Sequence, residues 1–106
     1  MTALNRIEIL ETCLDGTMII EMEIDRKMDE ALMRRLAEND VLDFYPTFPK
    51  PYFRICLHRT DIVQGVIGNR TFRVTCEIEK QKQTIGAIRR RIEEELQHGS
   101  KTQKVL

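Results

Sequence analysis

The chain lacks several features on which whole functional classes depend. It has no tryptophan, and none of its apolar runs approaches the roughly 20 residues that a membrane-spanning helix needs. Its first residues, MTALNRIEILE, contain no basic segment followed by an apolar core, so we expect no secretory signal. These absences predict a protein that makes no membrane contact and resides in the cytoplasm.

Cysteine is also scarce. Cys13, Cys56 and Cys76 are an odd number of thiols, far apart in the sequence. This pattern argues against a disulfide framework and fits a reducing cytoplasm. No CxxC or CxxH spacing suggests a zinc site. We therefore expect no metal and no other cofactor.

Residues that carry catalysis are few. The only histidines are His58 and His98, and no Gly-x-Ser-x-Gly segment is present. The glycines of GVIGNR match neither the dinucleotide-binding nor the P-loop spacing. Cys56 and His58 are expected on one strand face, but no orienting group or oxyanion site accompanies them. The sequence favours a protein without catalytic activity, and the reactivity of this pair stays open.

Charge is balanced in total and segregated along the chain. The chain has 17 Lys and Arg and 17 Asp and Glu. Residues 1–50 hold six basic and eleven acidic residues, whereas residues 51–106 hold eleven basic and six acidic ones. Halves of opposite sign can neutralise each other within a fold or across a subunit interface. The zero net charge argues against strong non-specific nucleic-acid binding, which needs clustered cations.

Residues 6–24 predict a β-hairpin around Asp15-Gly16, because Asp-Gly between apolar runs favours a two-residue turn with positive φ. Such a turn fixes which residues lie opposite each other. The predicted pairs are Cys13 with Met18, Glu11 with Ile20, Ile9 with Met22, and Ile7 with Ile24. Except for Glu11, this face is apolar and is expected to pack on the core.

Residues 25–39 predict a helix that begins at the N-cap Asp25 and ends in a left-handed residue, Asn39. Four apolar residues recur there at helical spacing: Met28, Ala31, Leu32 and Leu36. Residues 41–51 predict a loop, because their three prolines cannot continue a helix or complete a strand ladder.

Most of the aromatic residues lie close together. They are Phe44, Tyr45, Phe48, Tyr52 and Phe53. We expect this segment to be a rigid connector that fills the edge of the core. Two functional interpretations stay open for it, the wall of a ligand pocket and a loop that docks a partner.

Residues 52–58 predict a strand, and residues 62–67 and 70–78 predict a hairpin with Gly68-Asn69 as its two-residue loop. The expected pairs are Gly65 with Phe72, Val63 with Val74, Asp61 with Cys76, Val66 with Thr71, Gln64 with Arg73, and Ile62 with Thr75. An aromatic residue opposite a strand glycine covers exposed backbone, which stabilises a sheet.

Residues 80–97 predict a second helix that ends at His98-Gly99. Its apolar stripe consists of Ile85, Ile88, Ile92 and Leu96. The basic run 89–91 is followed by three glutamates, so we expect a solvated face with pairs such as Arg89–Glu93. We expect residues 1–99 to form a single α+β domain and residues 100–106 to form a flexible tail.

The predicted fold is a two-layer α+β structure with a mostly antiparallel sheet of about five strands and two helices, in the order ββ-α-βββ-α. The second sheet face is too apolar for open water, chiefly because of Leu10, Ile19, Ile62 and Val66. Either the helices cover opposite faces, or this face packs on a partner subunit. We favour the second arrangement, with these four residues in the interface.

The leading functional hypothesis is a small non-catalytic accessory or regulatory module, which is a homo-oligomer or binds a protein partner through its sheet. The residues expected at the contact site are Tyr52, Arg54, His58, Gln64 and Arg73. One alternative is binding of RNA or single-stranded nucleic acid by the same residues. Another is binding of a small ligand near the aromatic loop, residues 44–53.

Overall fold

A computed structural model describes the backbone of residues 4–38, 40–57 and 61–105, and the side chains within those ranges as far as residue 95. The elements, in chain order, are β1 (Leu4–Thr12), β2 (Thr17–Ile24), α1 (Glu30–Ala37), β3 (Val41–Tyr45), β4 (Tyr52–Leu57), β5 (Asp61–Val66), β6 (Thr71–Glu77), a 3₁₀ turn (Ile78–Lys80) and α2 (Gln81–Val105). The strands form one antiparallel sheet in the order β1-β2-β6-β5-β4-β3. No helix in these ranges is long and apolar enough to cross a membrane.

The α+β class with an antiparallel sheet and two helices is confirmed, but the sheet has six strands and the order is ββ-α-ββββ-α. The additional strand is β3, which occupies the first half of the predicted loop 41–51. The prolines of that loop begin only at Pro46, so the backbone of residues 41–45 is free to pair with β4. Leu42 and Phe44 of β3 pack against the core.

Both helices lie on the same side of the sheet. The core joins one face of the sheet, including Ile20, Phe53 and Val74, to Leu36 of α1 and Ile88 of α2. The helices also contact each other. The opposite surface of the sheet, here called the open face, therefore has no helix over it in the part of the chain that the structure describes.

The predicted register of the first hairpin is wrong. Its loop has three residues, because the Cys13 N–H donates a hydrogen bond to the Thr17 carbonyl across 2.8 Å and Gly16 has a φ of 89°. Both the backbone N–H and the hydroxyl of Thr17 donate to the Asp15 carboxylate, which favours this loop and lowers the pKa of Asp15. Together with a bulge at Leu10, this loop sets Ile9 opposite Ile20 rather than Met22.

Strand β1 contains two bulges, at Asn5 and Leu10, where it has one residue more than β2. Ile7 and Ile9 point towards the helix layer, as predicted. They are nevertheless 37% and 56% exposed, because β1 is an edge strand that the helices do not cover. Bulges on an edge strand hinder further strand pairing.

The register of the second hairpin is confirmed by four of its predicted pairs: Gly65 with Phe72, Val63 with Val74, Gln64 with Arg73, and Ile62 with Thr75. The turn itself differs, because β5 ends at Val66 and β6 begins at Thr71. The Asn69 N–H donates to the Val66 carbonyl, so the turn is centred on Ile67-Gly68, and Gly68 has a φ of 99°.

Helix α1 begins later than predicted. Asp29, not Asp25, is the N-cap, and its carboxylate accepts a hydrogen bond from the Leu32 N–H at 2.8 Å. Residues 25–28 instead run along the second hairpin, where the Met28 N–H donates to the Asn69 carbonyl. Ala31, predicted to face the core, is exposed, whereas Met33 is buried. The left-handed residue at the helix end is Glu38, with a φ of 48°, and Asn39 lies outside the described residues.

Helix α2 begins at Gln81 and continues to Val105, so the predicted end at His98-Gly99 is wrong. Ile88 and Ile92 are buried as predicted. The side chain of Leu96 lies outside the described residues, and the flexibility of residues 100–106 stays a prediction.

Candidate interaction face

The strand register arranges the open face in rows that run across the sheet. One row, here called the apolar row, consists of Ile19, Thr75, Ile62, Cys56 and Val41, on β2, β6, β5, β4 and β3 respectively. Its first four members are half-buried by their neighbours, and Val41 is 63% exposed. The row is therefore a nearly continuous apolar band across five strands, and on β1 it ends at Glu11, which lies opposite Ile19.

A second row, here called the charged row, lies beside the apolar row. It consists of Glu8, Glu21, Arg73, Gln64, Arg54 and Asp43, in the order of the strands from β1 to β3. Three of the predicted contact residues (Arg54, Gln64 and Arg73) are consecutive in this row, because Gln64 lies opposite Arg54 on one side and Arg73 on the other. The pairing of Gln64 with Arg73 is the one that the sequence predicted. The fold thus brings together residues that are up to 19 positions apart in the sequence.

Tyr52 lies on the same open face and is joined to the charged row. Its hydroxyl donates a hydrogen bond to Gln64 Oε1 at 3.0 Å. Its ring stacks on Tyr45 with centroids 5.9 Å apart, and Tyr45 stacks on Phe48 at 5.0 Å. These three rings are here called the aromatic stack. His58, the remaining predicted contact residue, lies outside the described residues.

Tyr45 and Phe48 are not among the residues predicted for contact, because the three prolines predicted a loop at this segment. Tyr45 reaches the open face only because β3 pairs with β4, which sets Tyr45 opposite Tyr52. The alternation of LDFY before Pro46 was the available signal for this strand.

Of the four residues predicted for the interface, three lie on the open face and one lies at a bulge of the edge strand β1. Ile19, Ile62 and Val66 are half-buried members of strands on the open face. Leu10 is the bulge residue of the edge strand β1 and is 40% exposed. Val66 lies opposite Tyr52 and adjoins the aromatic stack, whereas Ile19 and Ile62 lie in the apolar row on the other side of the charged row.

The charges of the open face are distributed unevenly. At the β1–β2 end, Arg6 forms ion pairs with Glu8, Glu21 and Glu23, and the hydrogen bond with Glu21 is the main cause that raises the pKa of Arg6. Arg73 Nε lies 3.9 Å from the carboxylate of Glu21. Arg54 is exposed and makes no ion pair within the described residues. Among the described residues, one end of the face thus has more acids than bases, and the other end carries Arg54 and Asp43 without an ion pair between them.

A shallow open groove of about 360 Å³ lies between the charged row and the turn of the second hairpin. Its polar and apolar lining includes Glu21, Tyr52, Gln64, Val66, Asn69 and Arg73. The groove is an extension of the open face and is not an enclosed pocket. It offers a guanidinium group and a carboxylate within one depression, which suits polar contacts with a broad partner surface.

The described residues include three thiols, which are the candidates for a reactive site. Cys56 lies in the apolar row, and no group of three or more potential ligands among the described residues is placed to hold a metal ion. All three cysteines are free. Burial raises the pKa of the Cys76 thiol, with Asp61 and Glu77 adding to the effect, so the reactive thiolate is disfavoured at this position.

Comparison with known proteins does not add a family to these observations. No protein-family model, curated protein or solved structure matches the chain. The function is therefore argued from the geometry of the open face.

Proposed function

We propose that the chain is a non-catalytic accessory module that binds a protein through the open face of its sheet. The observation that carries this proposal is the apolar row, which crosses a sheet face without any helix over it. Antiparallel sheets with one face in water usually alternate apolar and polar residues, so that the wet face is polar. A band that includes Ile19, Ile62 and Val41 on that face departs from this pattern.

The composition of the open face suits a protein partner. The charged row lies between the apolar row and the aromatic stack, and protein interfaces are enriched in aromatic residues and arginine. Scattered apolar surface residues are ordinary, but a band across several strands supports a contact surface. The three free, separated thiols support a reducing compartment, and the proposal places the protein in the cytoplasm.

We expect Cys56 to be protected from alkylation in the cells that naturally express the protein. Cys56 lies in the apolar row, so a partner on the open face would cover it. A Cys13→Ser background leaves Cys56 as the accessible thiol, because Cys76 is buried and its pKa is raised. Mass spectrometry after a short maleimide pulse should show several-fold slower labelling in cells than in dilute purified protein.

The variant Ile19→Lys tests whether the apolar row causes this protection. Ile19 lies in the same row but not beside Cys56, so its replacement should abolish the protection without changing the intrinsic reactivity of the thiol. Leu14→Lys is the matched control, since Leu14 is fully exposed in the first hairpin loop. Equal labelling rates of Cys56 in cells and in dilute protein would contradict the proposal.

The aromatic stack favours a second candidate function, binding of single-stranded nucleic acid. Tyr45 and Phe48 are 41% and 50% exposed, and Arg54 projects from the strand that carries Tyr52. Bases stack on aromatic side chains, and nearby cations contact the phosphates. The small-ligand alternative near residues 44–53 shares the same rings and stays a prediction.

The nucleic-acid candidate has a direct readout, because the chain has two tyrosines, both in the aromatic stack, and no tryptophan. A short oligothymidylate should quench the intrinsic fluorescence if its bases stack there. The association constant should fall with salt by a log–log slope of about −0.7 for each phosphate contact. The double variant Arg54→Ala with Arg73→Ala should reduce that slope. Unchanged fluorescence at saturating oligonucleotide would exclude this candidate.

A further inference from the structure

We infer that the partner of the open face is a second copy of this chain, packed face to face about a two-fold axis parallel to the strands. This inference rests on the proposed function and specifies its partner. Two sheets that pack in this way keep their strands nearly aligned, as in sandwiches, where aligned packing is the usual arrangement. A two-fold interface must be complementary to itself, and the open face meets that condition.

The charges of the face are complementary about its midline. The β1–β2 end carries four glutamates, at positions 8, 11, 21 and 23, against Arg6 as the basic residue of those two strands. On the other side of the midline, Arg54 has no ion pair within the described residues. Asp43 lies opposite Arg54 on β3, so this end carries one cation and one carboxylate, whereas the β1–β2 end carries a surplus of acid.

The strand order determines which residues would meet. The midline of the sheet lies between β6 and β5, so the two-fold axis brings β2 of one copy over β4 of the other. Because the axis is parallel to the strands, each row faces itself. Glu21 then faces Arg54 of the second copy, and Ile19 faces Cys56 of the second copy.

In this arrangement, the apolar row of one copy packs against the apolar row of the other. Thr75 on β6 faces Ile62 on β5 of the second copy, so the contact nearest the axis in this row is uncharged. In the charged row, Arg73 faces the neutral Gln64 of the second copy. The outermost contact of the charged row brings Glu8 near Asp43 of the second copy. Both residues belong to edge strands at the rim, where solvent and salt screen their repulsion.

The area of the open face indicates the expected affinity of the dimer. Six strands about 4.8 Å apart and about six residues long cover roughly 24 by 20 Å. Two such faces bury about 1,000 Å², which is near the lower limit for a specific protein interface. We therefore expect a reversible dimer with micromolar affinity rather than an obligate one.

Sedimentation equilibrium of the purified full chain tests the inference. The native protein should be dimeric at concentrations of tens of micromolar, and Ile62→Lys should be monomeric. Arg54→Glu should weaken dimerisation by about 10-fold or more, since like charges then face each other. Arg90→Glu is the matched control, because Arg90 is exposed on α2, in the helix layer on the other side of the sheet.

Charge exchange between two variants tests the orientation of the dimer. Glu21→Arg should also dimerise weakly, and an equimolar mixture of Glu21→Arg with Arg54→Glu should regain the native affinity as a heterodimer. Circular dichroism checks that each variant is folded. If Glu21→Arg does not fold because of its proximity to Arg6 and Arg73, the salt dependence of dimerisation replaces it. Affinity must then fall with salt in the native protein and not in Arg54→Gln.

The outcomes separate this inference from the proposed function. A native protein that stays monomeric overturns the second copy as partner, whereas protection of Cys56 in cells would then assign the open face to a different protein. A dimer that Ile62→Lys leaves intact uses another surface and overturns the inference. A dimer that Ile62→Lys abolishes but Arg54→Glu does not affect overturns the arrangement about the two-fold axis.

Discussion

Replacing Arg91 with alanine should lower the free energy of unfolding by about 3 kcal/mol, a cost typical of removing one partner of a buried ion pair. The Arg91 side chain is only 6% exposed and joins α2 to the end of α1. Its Nη1 donates a hydrogen bond to the Leu36 carbonyl at 2.6 Å and lies 3.3 Å from the carboxylate of Asp40. Its Nε forms an ion pair with Glu38 at 2.9 Å.

The expected loss of unfolding free energy follows from the acceptor groups that Arg91→Ala leaves without a partner. The Leu36 carbonyl is one of the helix-terminal acceptors that has no partner within its own helix, and losing a buried partner costs about 1–3 kcal/mol. The carboxylates of Asp40 and Glu38 are 19% and 41% exposed, so water offsets part of their loss. The apolar stem of Arg91 adds packing that alanine lacks.

Urea unfolding followed by circular dichroism measures this effect. Arg90→Ala is the matched control, because Arg90 precedes Arg91 but is exposed, and its replacement should change stability by less than about 0.5 kcal/mol. Equal midpoints for the two variants would show that Arg91 does not connect the helices energetically.

Replacing Gly65 with alanine should cost about 1–3 kcal/mol, the usual range for overpacking a core. A Cβ at this position would lie 3.0 Å from Cβ of Phe72 and 3.1 Å from Cζ of Phe53. Both phenylalanines are almost fully buried, at 2% and 0% exposure, so neither ring is free to move aside. Close packing of two aromatic residues against the strand backbone thus requires glycine at residue 65.

Gly86→Ala is the matched control for this prediction and should have the opposite sign. Gly86 lies within α2, and a Cβ there would meet no atom within 4 Å. Alanine in a helix interior is more favourable than glycine by about 0.8–1.0 kcal/mol. Thermal unfolding should therefore show a lower melting temperature for Gly65→Ala and a higher one for Gly86→Ala. A stabilising Gly65→Ala would contradict the packing argument.

Much of the second hairpin was predictable from local pattern, as was the face on which three of the predicted contact residues lie. The alternation along β5 and β6 specifies one register, since a slip by one residue would move Val63 and Val74 out of the core. Once that register is known, Gln64 and Arg73 must lie on the other face. This is why three of the predicted contact residues are adjacent in the structure.

The first hairpin shows the limit of such reasoning. Asp15-Gly16 correctly indicated a turn, but the number of loop residues depends on the hydrogen bonds between Asp15 and Thr17. These contacts shift the pairing of β1, and the bulges at Asn5 and Leu10 shift it further. A motif of two residues does not contain that information.

The contacts of the basic run 89–91 also differ from those that the sequence pattern predicted. Composition predicted a solvated face with pairs to the following glutamates, yet Arg91 is buried and no ion pair joins Arg89 to Glu93, both of which the structure describes. Glu95 instead pairs with Arg35 of α1. The angle at which the two helices cross decides these contacts, and that angle depends on the whole core.

Composition and short-range periodicity were enough to predict the class of the fold, the face of each residue on β4, β5 and β6, and the scarcity of catalytic groups. The assembled fold was needed to show that residues 41–45 form a strand, that Tyr45 and Phe48 join Tyr52, and that both helices cover the same face. Each of these features arises from contacts between segments that are distant along the chain, where no local pattern specifies which segment is the neighbour.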